Sequence, residues 1–180
     1  MAKHYKIYED INNDITIITN RSNGETYIEA MLNGKCIGYL VVVIHNTIYD
    51  LESEISDTDS YEVADEVIAK LNGSKRVIEL ADISVNKEYR NMGISKRLLE
   101  YTLDTFKNEQ FYMRVCPTDG VDEQTLADSV KRYGFIEVDN TENGTFLIKK
   151  GSLSENKFVH LNENSIRKVV TESLRNIFGL

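Results

Sequence analysis

The loop Arg90-Asn91-Met92-Gly93-Ile94-Ser95 has the residue types and spacing best suited to chemistry in this chain. Gly93 lets the backbone approach a ligand closely because it has no Cβ atom, and Ser95 offers a small hydroxyl donor. Arg90 and Lys96 provide positive charge on either side. If a helix begins here, the unpaired N–H groups and positive dipole end of its first turn would attract an anion. The pattern predicts a cradle for a phosphate group, with an ordinary strand–helix connector as the alternative.

The residues on both sides of this loop predict the elements that would hold it. Residues 76–85 have the composition of a strand, and residues 94–107 carry apolar side chains at helical spacing. The further predicted strands are 14–20, 26–32, 35–44, 110–116, 135–138 and 145–149, and the further helices are 60–71 and 122–132. The acidic stretch 46–60 is expected to be irregular. This order of elements predicts a mixed α/β sheet with helices on its faces.

Two predicted strands in the first half of the chain flank Asn33-Gly34, the strongest hairpin signal in the sequence. The second of them, residues 35–44, is almost continuously apolar, which predicts a central strand. Residues 14–32, by contrast, offer only a short turn around Asn23-Gly24.

Length and composition limit the class of protein. A chain of 180 residues is expected to form one domain with at most an appendage. The net charge of -8 argues against a general nucleic-acid binder, which needs a basic face. Cys36 and Cys116 form no CxxC pair, which favours free thiols in a reducing compartment. His4, His45 and His160 lie far apart in sequence, so no His-based metal site is expected.

The hydrophobic segments predict no association with a membrane. The N-terminal residues are polar and lack the apolar region of a signal peptide. The longest apolar run, Ile37–Ile44, is too short to span a bilayer. We therefore expect a cytoplasmic protein.

The composition changes at Gly151 and divides the chain. Residues 1–150 are expected to form the main domain, residues 151–164 a linker, and residues 165–180 an amphipathic helix. The apolar stripe of that helix comprises Ile166, Val169, Val170, Leu174 and Ile177. Such a stripe must dock on its own domain, self-associate or enter the groove of a partner protein.

Two motifs resemble those of one enzyme family. The segment from Val85 to Leu99 resembles the central motif of GNAT-type N-acetyltransferases, Arg/Gln-x-x-Gly-x-Gly/Ala, with Ser95 in the last place. Residues 131–135 (KRYGF) resemble the Lys-x-Gly-Phe ending of that family's next helix. The resemblance covers about residues 75–150 and more loosely 14–44. It implies an α/β (α+β) fold with a mixed, mostly antiparallel central sheet, flanking helices and strands splayed at the cofactor site.

The resemblance also implies a cofactor and the residues that hold it. The cofactor would be acetyl-CoA. The backbone of Ile83, Ser84 and Val85 would pair with its pantetheine arm. Core packing by the side chains of Ile83 and Val85 is compatible with this role, because only their backbone is recruited. The pyrophosphate would be held by Arg90, Asn91, Met92, Gly93, Ile94 and Ser95, with Lys96 nearby.

The general base implied by the resemblance is Glu79, on the strand that carries the cofactor. Amine acetylation needs a base that removes the ammonium proton of the acceptor. Asp82 lies three residues further on, and a regular strand would turn these two carboxylates to opposite faces. The alternative for Glu79 is a solvated strand carboxylate.

The resemblance identifies the general acid less clearly than the general base. Family members commonly carry a tyrosine at the position that Val130 occupies here. Tyr133 is the candidate that replaces it, with simple packing as the alternative. Ser129 and Cys116 are weaker candidates.

The acceptor is expected to be a small-molecule amine or a protein amine. The acidic run 50–66 could attract a cationic acceptor, or it could be a solvated surface. A second hypothesis is a catalytically weak or inactive GNAT-like binding module. The C-terminal helix resembles tags on proteins of gut bacteriophages and their hosts, which would imply a phage-encoded protein that could be carried in the virion. A phosphate-binding regulator, the third hypothesis, does not account for the second motif.

Overall fold

The structure is a computed structural model that describes residues 8–9, 14–22, 24–71, 76–116 and 123–151. The predicted amphipathic helix 165–180 lies outside the described residues, as does the predicted linker beyond Gly151. Among the described helices, none is both long and apolar enough to cross a membrane.

The described residues form one sheet with helices on both faces. The elements are β1 (Tyr8–Glu9), β2 (Ile15–Ser22), β3 (Glu25–Leu32), β4 (Lys35–His45), α1 (Ile48–Thr58), α2 (Tyr61–Lys70), β5 (Val77–Val85), a 3₁₀ turn (Lys87–Tyr89), α3 (Ile94–Thr105), β6 (Gln110–Val115), α4 (Glu123–Lys131), β7 (Ile136–Thr141) and β8 (Gly144–Lys149). The strand order is β1-β2-β3-β4-β5-β6-β8-β7. All neighbouring strands are antiparallel except β5 and β6. The predicted fold class, a mixed and mostly antiparallel sheet with flanking helices, is confirmed.

The first four strands follow the turn chemistry of the sequence. Asn33 and Gly34 both have positive φ, 50° and 77°, as a two-residue type I′ hairpin turn requires. Ser22 pairs directly with Glu25, so β2 and β3 also form a tight hairpin. Strand β4 lies between β3 and β5 and is mostly buried, as its apolar run predicts.

The prediction that residues 46–60 are irregular is wrong, because α1 occupies most of them. The hydroxyl of Thr47 accepts a hydrogen bond from Asp50 N–H, and the Asp50 carboxylate accepts one from Thr47 N–H. This capping box fixes the start of the helix. Leu51 and Ile55, one turn apart, are its buried side chains. The acidic residues that suggested a loop lie mainly on its exposed side.

The two faces of the sheet are covered by different helices. Helices α1 and α2 bury Leu51, Ile55, Val63 and Val67 in a cluster with sheet residues of β5, β6 and β8. Helices α3 and α4 pack on the other face, in the larger cluster that extends to β2, β3 and β4. Helix α3 contributes the buried residues Ile94, Leu98, Leu99, Tyr101 and Thr102.

Gly38 in β4 allows the end of β5 and the start of α3 to come close together. A Cβ atom at Gly38 would lie 3.0 Å from the Ser84 carbonyl oxygen. It would also lie 3.2 Å from Val85 Cγ2 and 3.3 Å from Ile94 Cγ2. The position of the α3 N-terminus over the sheet therefore depends on a residue without a side chain.

We expect Gly38→Ala to lower the free energy of unfolding by about 1–3 kcal/mol, because the added methyl group overpacks this contact. Urea unfolding measures the loss. Ser22→Ala, at an exposed strand end, is the control and should change stability by less than about 0.5 kcal/mol. An alanine variant as stable as the parent protein would show that β4 and α3 are not tightly fitted here.

Candidate functional site

Strands β5 and β6 separate partway along their length. They pair only from Val77 to Glu79, and the last pair is Glu79 with Tyr112. Beyond it, β6 continues to Val115 paired with β8, while β5 continues to Val85 paired with β4. Within the described residues, the β6-facing edge of β5 therefore has no strand partner after Glu79. Such an edge presents backbone N–H and C=O groups that an extended ligand can pair with.

A β-bulge in β5 lies where the separation begins. Leu80 pairs with Val42 and Asp82 pairs with Val41, so Ala81 is an extra residue opposite β4. A bulge bends its strand and increases the local twist. Because β6 remains paired with β8, bending of β5 favours a gap between β5 and β6.

The bulge also corrects the expected orientation of the two carboxylates on β5. In a regular strand Glu79 and Asp82 would point to opposite faces of the sheet. Because Ala81 is an extra residue between them, both side chains lie on the same face. Glu79 hydrogen-bonds to His45, and Asp82 is close enough to Tyr39 to raise the pKa of its hydroxyl. His45 and Tyr39 are six residues apart in β4 and so share a face. Asp82 is exposed, whereas Glu79 is buried.

The loop after β5 is held to the neighbouring strand. The Asn86 backbone N–H donates to the Ile37 carbonyl oxygen at 2.9 Å, and Asn86 Nδ2 donates to the Cys36 carbonyl oxygen at 3.3 Å. After the 3₁₀ turn, Arg90 Nε donates to the Val85 carbonyl oxygen at 3.2 Å. These bonds fix where the chain enters α3.

The N-terminus of α3 lacks a side-chain cap. Thr47 caps α1 and Ser60 caps α2, but the N-cap residue of α3 is Gly93, in the left-handed conformation with φ 75°. The first-turn N–H groups of a helix have no intrahelical acceptor. A Cβ atom added to Gly93 would meet nothing within 4 Å, so the space in front of this turn is open. The geometry suits a bound anion.

The other predicted cradle residues surround this open turn. Asn91 has a positive φ of 66°, and Met92, Ser95 and Lys96 are exposed. Ile94 differs because its side chain is buried beneath the helix start.

On β5, the side chain of Ile83 is 43% exposed and those of Ser84 and Val85 are half-buried. A shallow groove beside these residues is lined by residues 84–88 together with Lys35 and Arg90. With Lys87, the groove carries three cationic side chains and one acidic one, so its charge favours an anionic ligand.

Glu79 belongs to a cluster of three titratable side chains that the sequence reasoning did not find. Glu79 Oε2 and His45 Nε2 are 2.8 Å apart, and the two side chains are 10% and 5% exposed. Glu54 Oε2, from α1, lies 3.8 Å from the same His45 nitrogen, and its side chain is 47% exposed. Helix α1 thus brings a solvent-accessible carboxylate against a buried one.

The pKa of His45 is raised above 6.5. Burial of the ring lowers this pKa, because it disfavours the charged form. The hydrogen bond to Glu79 and the negative charges of Glu79, Glu54 and Asp50 raise it by more. The pKa of Glu54 is raised by burial and by the neighbouring Glu79. Tyr112, beside the cluster, also has a raised pKa, chiefly because of burial.

These three side chains also contain the ligand atoms of a possible metal site. One nitrogen and two carboxylate oxygens lie within 4.8 Å of one another. However, the distance of 2.8 Å between His45 and Glu79 is that of a direct hydrogen bond. A cation would have to break this bond, so the arrangement is a hydrogen-bonded cluster.

Tyr133 lies away from this cluster. Its side chain packs against the core between the sheet and the α3–α4 layer, whereas Glu79 is on the opposite face. The residues that follow it have structural roles. Gly134, with φ 85°, lies in the turn after α4, and Phe135 packs edge-on against Phe111 at 6.4 Å between ring centroids.

The remaining acid candidates are engaged in other contacts. Val130 packs against the same core as Tyr133. The Ser129 hydroxyl donates to the Leu126 carbonyl oxygen at 2.7 Å. Cys116 Sγ donates to the Asn143 carbonyl oxygen at 3.3 Å.

We predict that replacing His45 by Gln will destabilise the protein more at about pH 6 than at about pH 8.5. A histidine with a raised folded-state pKa stabilises the fold fully below its unfolded pKa, and this contribution is lost as pH rises through the folded value. Unfolding free energies of the parent and variant at both pH values provide the measurement.

The exposed replacement Glu62→Gln serves as the control and should show the same small effect at both pH values. A destabilisation by His45→Gln that does not vary with pH would contradict the raised pKa.

Comparisons with known proteins place this geometry in context. The sequence matches the model of the Acetyltransferase (GNAT) family over residues 2–135. None of the curated proteins compared with it matches significantly.

Solved structures are similar at low sequence identity. A Corynebacterium glutamicum protein described as histone acetyltransferase HPA2 and related acetyltransferase superposes with a TM-score of 0.50 and 12% identity. The match covers 72% of this chain and 66% of that one, just under two thirds of its length. The ribosomal-protein-S18-alanine N-acetyltransferase of Escherichia coli gives a TM-score of 0.48 at 14% identity, covering 77% of each chain. Arabidopsis thaliana Naa50, in complex with the bisubstrate analogue CoA-Ac-MVNAL, superposes with a TM-score of 0.46 at 16% sequence identity. The match covers 69% of this chain and 72% of that one.

At such identities the structural likeness concerns the fold. The family model, which matches most of the chain, is the more specific finding. On that match, this chain belongs to the GNAT acetyltransferase family.

Proposed function

We propose that the protein is an N-acetyltransferase that moves an acetyl group from acetyl-CoA to an amine by direct attack. One observation carries the proposal: the edge of β5, which has no strand partner among the described residues after Glu79, leads through a short 3₁₀ turn to an uncapped helix N-terminus at Gly93. The edge suits the extended, amide-containing pantetheine arm. The helix end suits the pyrophosphate.

In this proposal the chain's own groups bind the cofactor. The first-turn N–H groups of α3 and the guanidinium of Arg90 hold the pyrophosphate, and Lys96 adds charge nearby. Backbone groups of Ile83, Ser84 and Val85 pair with the pantetheine arm. The bound cofactor supplies an activated acetyl group on a thiol leaving group.

Glu79 is the proposed general base. It lies at the point where β5 and β6 separate, so a ligand that enters between the strands ends close to it. Its carboxylate takes a proton from the acceptor ammonium, directly or through water, so that a neutral amine can attack. Tyr133 remains the candidate acid, but its packing on the other face argues against direct contact with Glu79.

The acceptor is proposed to be a small-molecule or protein amine. A catalytically weak GNAT-like binding module is the alternative, favoured by Val130 at the expected acid position and by the packed Tyr133. Transfer assays with spermidine, a lysine-containing peptide and a peptide with a free N-terminus distinguish the two. Thiol release with any of these amines supports the enzyme, whereas acetyl-CoA binding without release supports the module.

We expect Gly93→Glu to weaken acetyl-CoA binding by at least about tenfold, or about 1.4 kcal/mol. The new carboxylate would occupy the open space before α3 and repel the pyrophosphate. Isothermal calorimetry with acetyl-CoA measures the change.

Gly24→Glu is the matched control. Gly24 also has a positive φ, 88°, and an added Cβ there would meet nothing within 4 Å, so the backbone strain is similar. It lies in the β2–β3 turn and should bind acetyl-CoA normally. Equal binding by both variants, or no binding by the parent protein, would reject the proposed cradle.

We expect Glu79→Gln to lower kcat by about 10²- to 10⁴-fold, the usual range for loss of a general base. Acetyl-CoA affinity should not change. Asp82→Asn, on the same strand and face, should retain most of the activity. A larger loss from Asp82→Asn than from Glu79→Gln would assign the base to Asp82 and contradict the proposal.

A further inference from the structure

We propose that Glu54 is the exit through which the proton taken up by Glu79 reaches solvent, and that His45 positions the two carboxylates for this transfer. This inference rests on the proposed function. It adds to that function two residues, from β4 and α1, that neither family motif contains.

The reaction requires a proton exit. Acetyl transfer to an ammonium group forms a C–N bond and breaks a C–S bond. The nitrogen loses two protons, of which one ends on the departing thiol and the other is released. If Glu79 accepts a proton in each turnover, that proton must leave Glu79 before the next turnover begins. The Glu79 side chain is only 10% exposed, so direct loss to bulk water is restricted.

Glu54 provides a connection from this buried carboxylate to the surface. A carboxylate oxygen of Glu54 lies within 4.8 Å of one of Glu79, and the Glu54 side chain is 47% exposed. Two carboxylates this close favour a state in which one of them holds a proton, which is the arrangement needed for transfer between them. The raised pKa of Glu54 brings its titration closer to neutral pH and is consistent with this role.

His45 holds the pair together. Its Nε2 contacts Glu79 at 2.8 Å and Glu54 at 3.8 Å, from a position that is 5% exposed. In its protonated form it would balance one of two adjacent carboxylates, which would otherwise repel each other. His45 is therefore a positioning residue.

Other groups around the cluster affect its titration. Those facing it from the packed elements are Asp50 on α1 and Tyr112 and Arg114 on β6. Arg114 lowers the pKa of Glu54, while Asp50 raises that of His45.

The kinetic test is Glu54→Gln, assayed with the best amine among spermidine, a lysine-containing peptide and a peptide with a free N-terminus. We expect kcat to fall roughly tenfold at low buffer concentration, less than for loss of the base itself. The KM for acetyl-CoA should be unchanged. Activity should recover as imidazole buffer is added, because a small proton carrier replaces the missing carboxylate. Glu62→Gln, an exposed acid on α2, should show neither effect.

A second measurement does not depend on activity. Proton NMR titration of His45, assigned by its loss in His45→Gln, should give a lower pKa in both Glu54→Gln and Glu79→Gln than in the parent protein. Glu62→Gln should leave it unchanged. A His45 pKa insensitive to both replacements would overturn the proposed cluster, whether or not an acceptor is found.

Two kinetic results would also overturn the inference. One is a Glu54→Gln variant as active as the parent at every buffer concentration. The other is activity that a chelator abolishes and Zn²⁺ restores, which would make these side chains metal ligands. If the parent protein transfers no acetyl group although the NMR result holds, the proposed function fails while the cluster stands.

Discussion

The separation of β5 from β6 is the feature on which the rest of the site depends. Each strand keeps a partner on its other side, β4 for β5 and β8 for β6, so the sheet remains continuous while a gap opens in the middle. The bulge at Ala81 bends β5 at the start of the gap. One end of this gap lies at Glu79, and the β5 edge runs from there toward the α3 N-terminus.

The candidate site departs from local stability rules where the proposed ligand would bind. Helices α1 and α2 have side-chain caps, whereas α3 begins at an uncapped glycine, a difference that costs roughly a few tenths of a kcal/mol in comparable helices. The buried face of α3, anchored by Ile94 and Leu98, offsets this cost. Gly38 permits the close fit that sets the helix in place. Such local exceptions are typical of functional sites.

Much of the fold follows from local sequence patterns. The hairpin at Asn33-Gly34, the central strand β4 and the apolar stripe of α3 depend on turn chemistry and periodicity, which a sequence displays directly. Helix α1 was missed because its acidic surface obscured the spacing of Leu51 and Ile55. The loop at Gly93 could be proposed as a cradle from the sequence because all its determinants are contiguous.

The His45–Glu54–Glu79 cluster could not be predicted in the same way. His45 and Glu79 are 34 residues apart, and their contact depends on the register of β4 with β5. The bulge shifts that register by one residue, which also reverses the expected orientation of Asp82. Glu54 joins them only because α1 packs on this face. These relationships are set by tertiary structure.

Amide hydrogen exchange with and without coenzyme A tests the central claim most directly, because it reports on the backbone groups themselves. Two segments should become protected on binding: the β5 edge from Leu80 to Val85 and the first turn of α3 from Ile94 to Lys96. The β2–β3 turn at Gly24 should exchange at the same rate in both samples. Binding that leaves both segments unchanged, or that protects a different surface, would contradict the account.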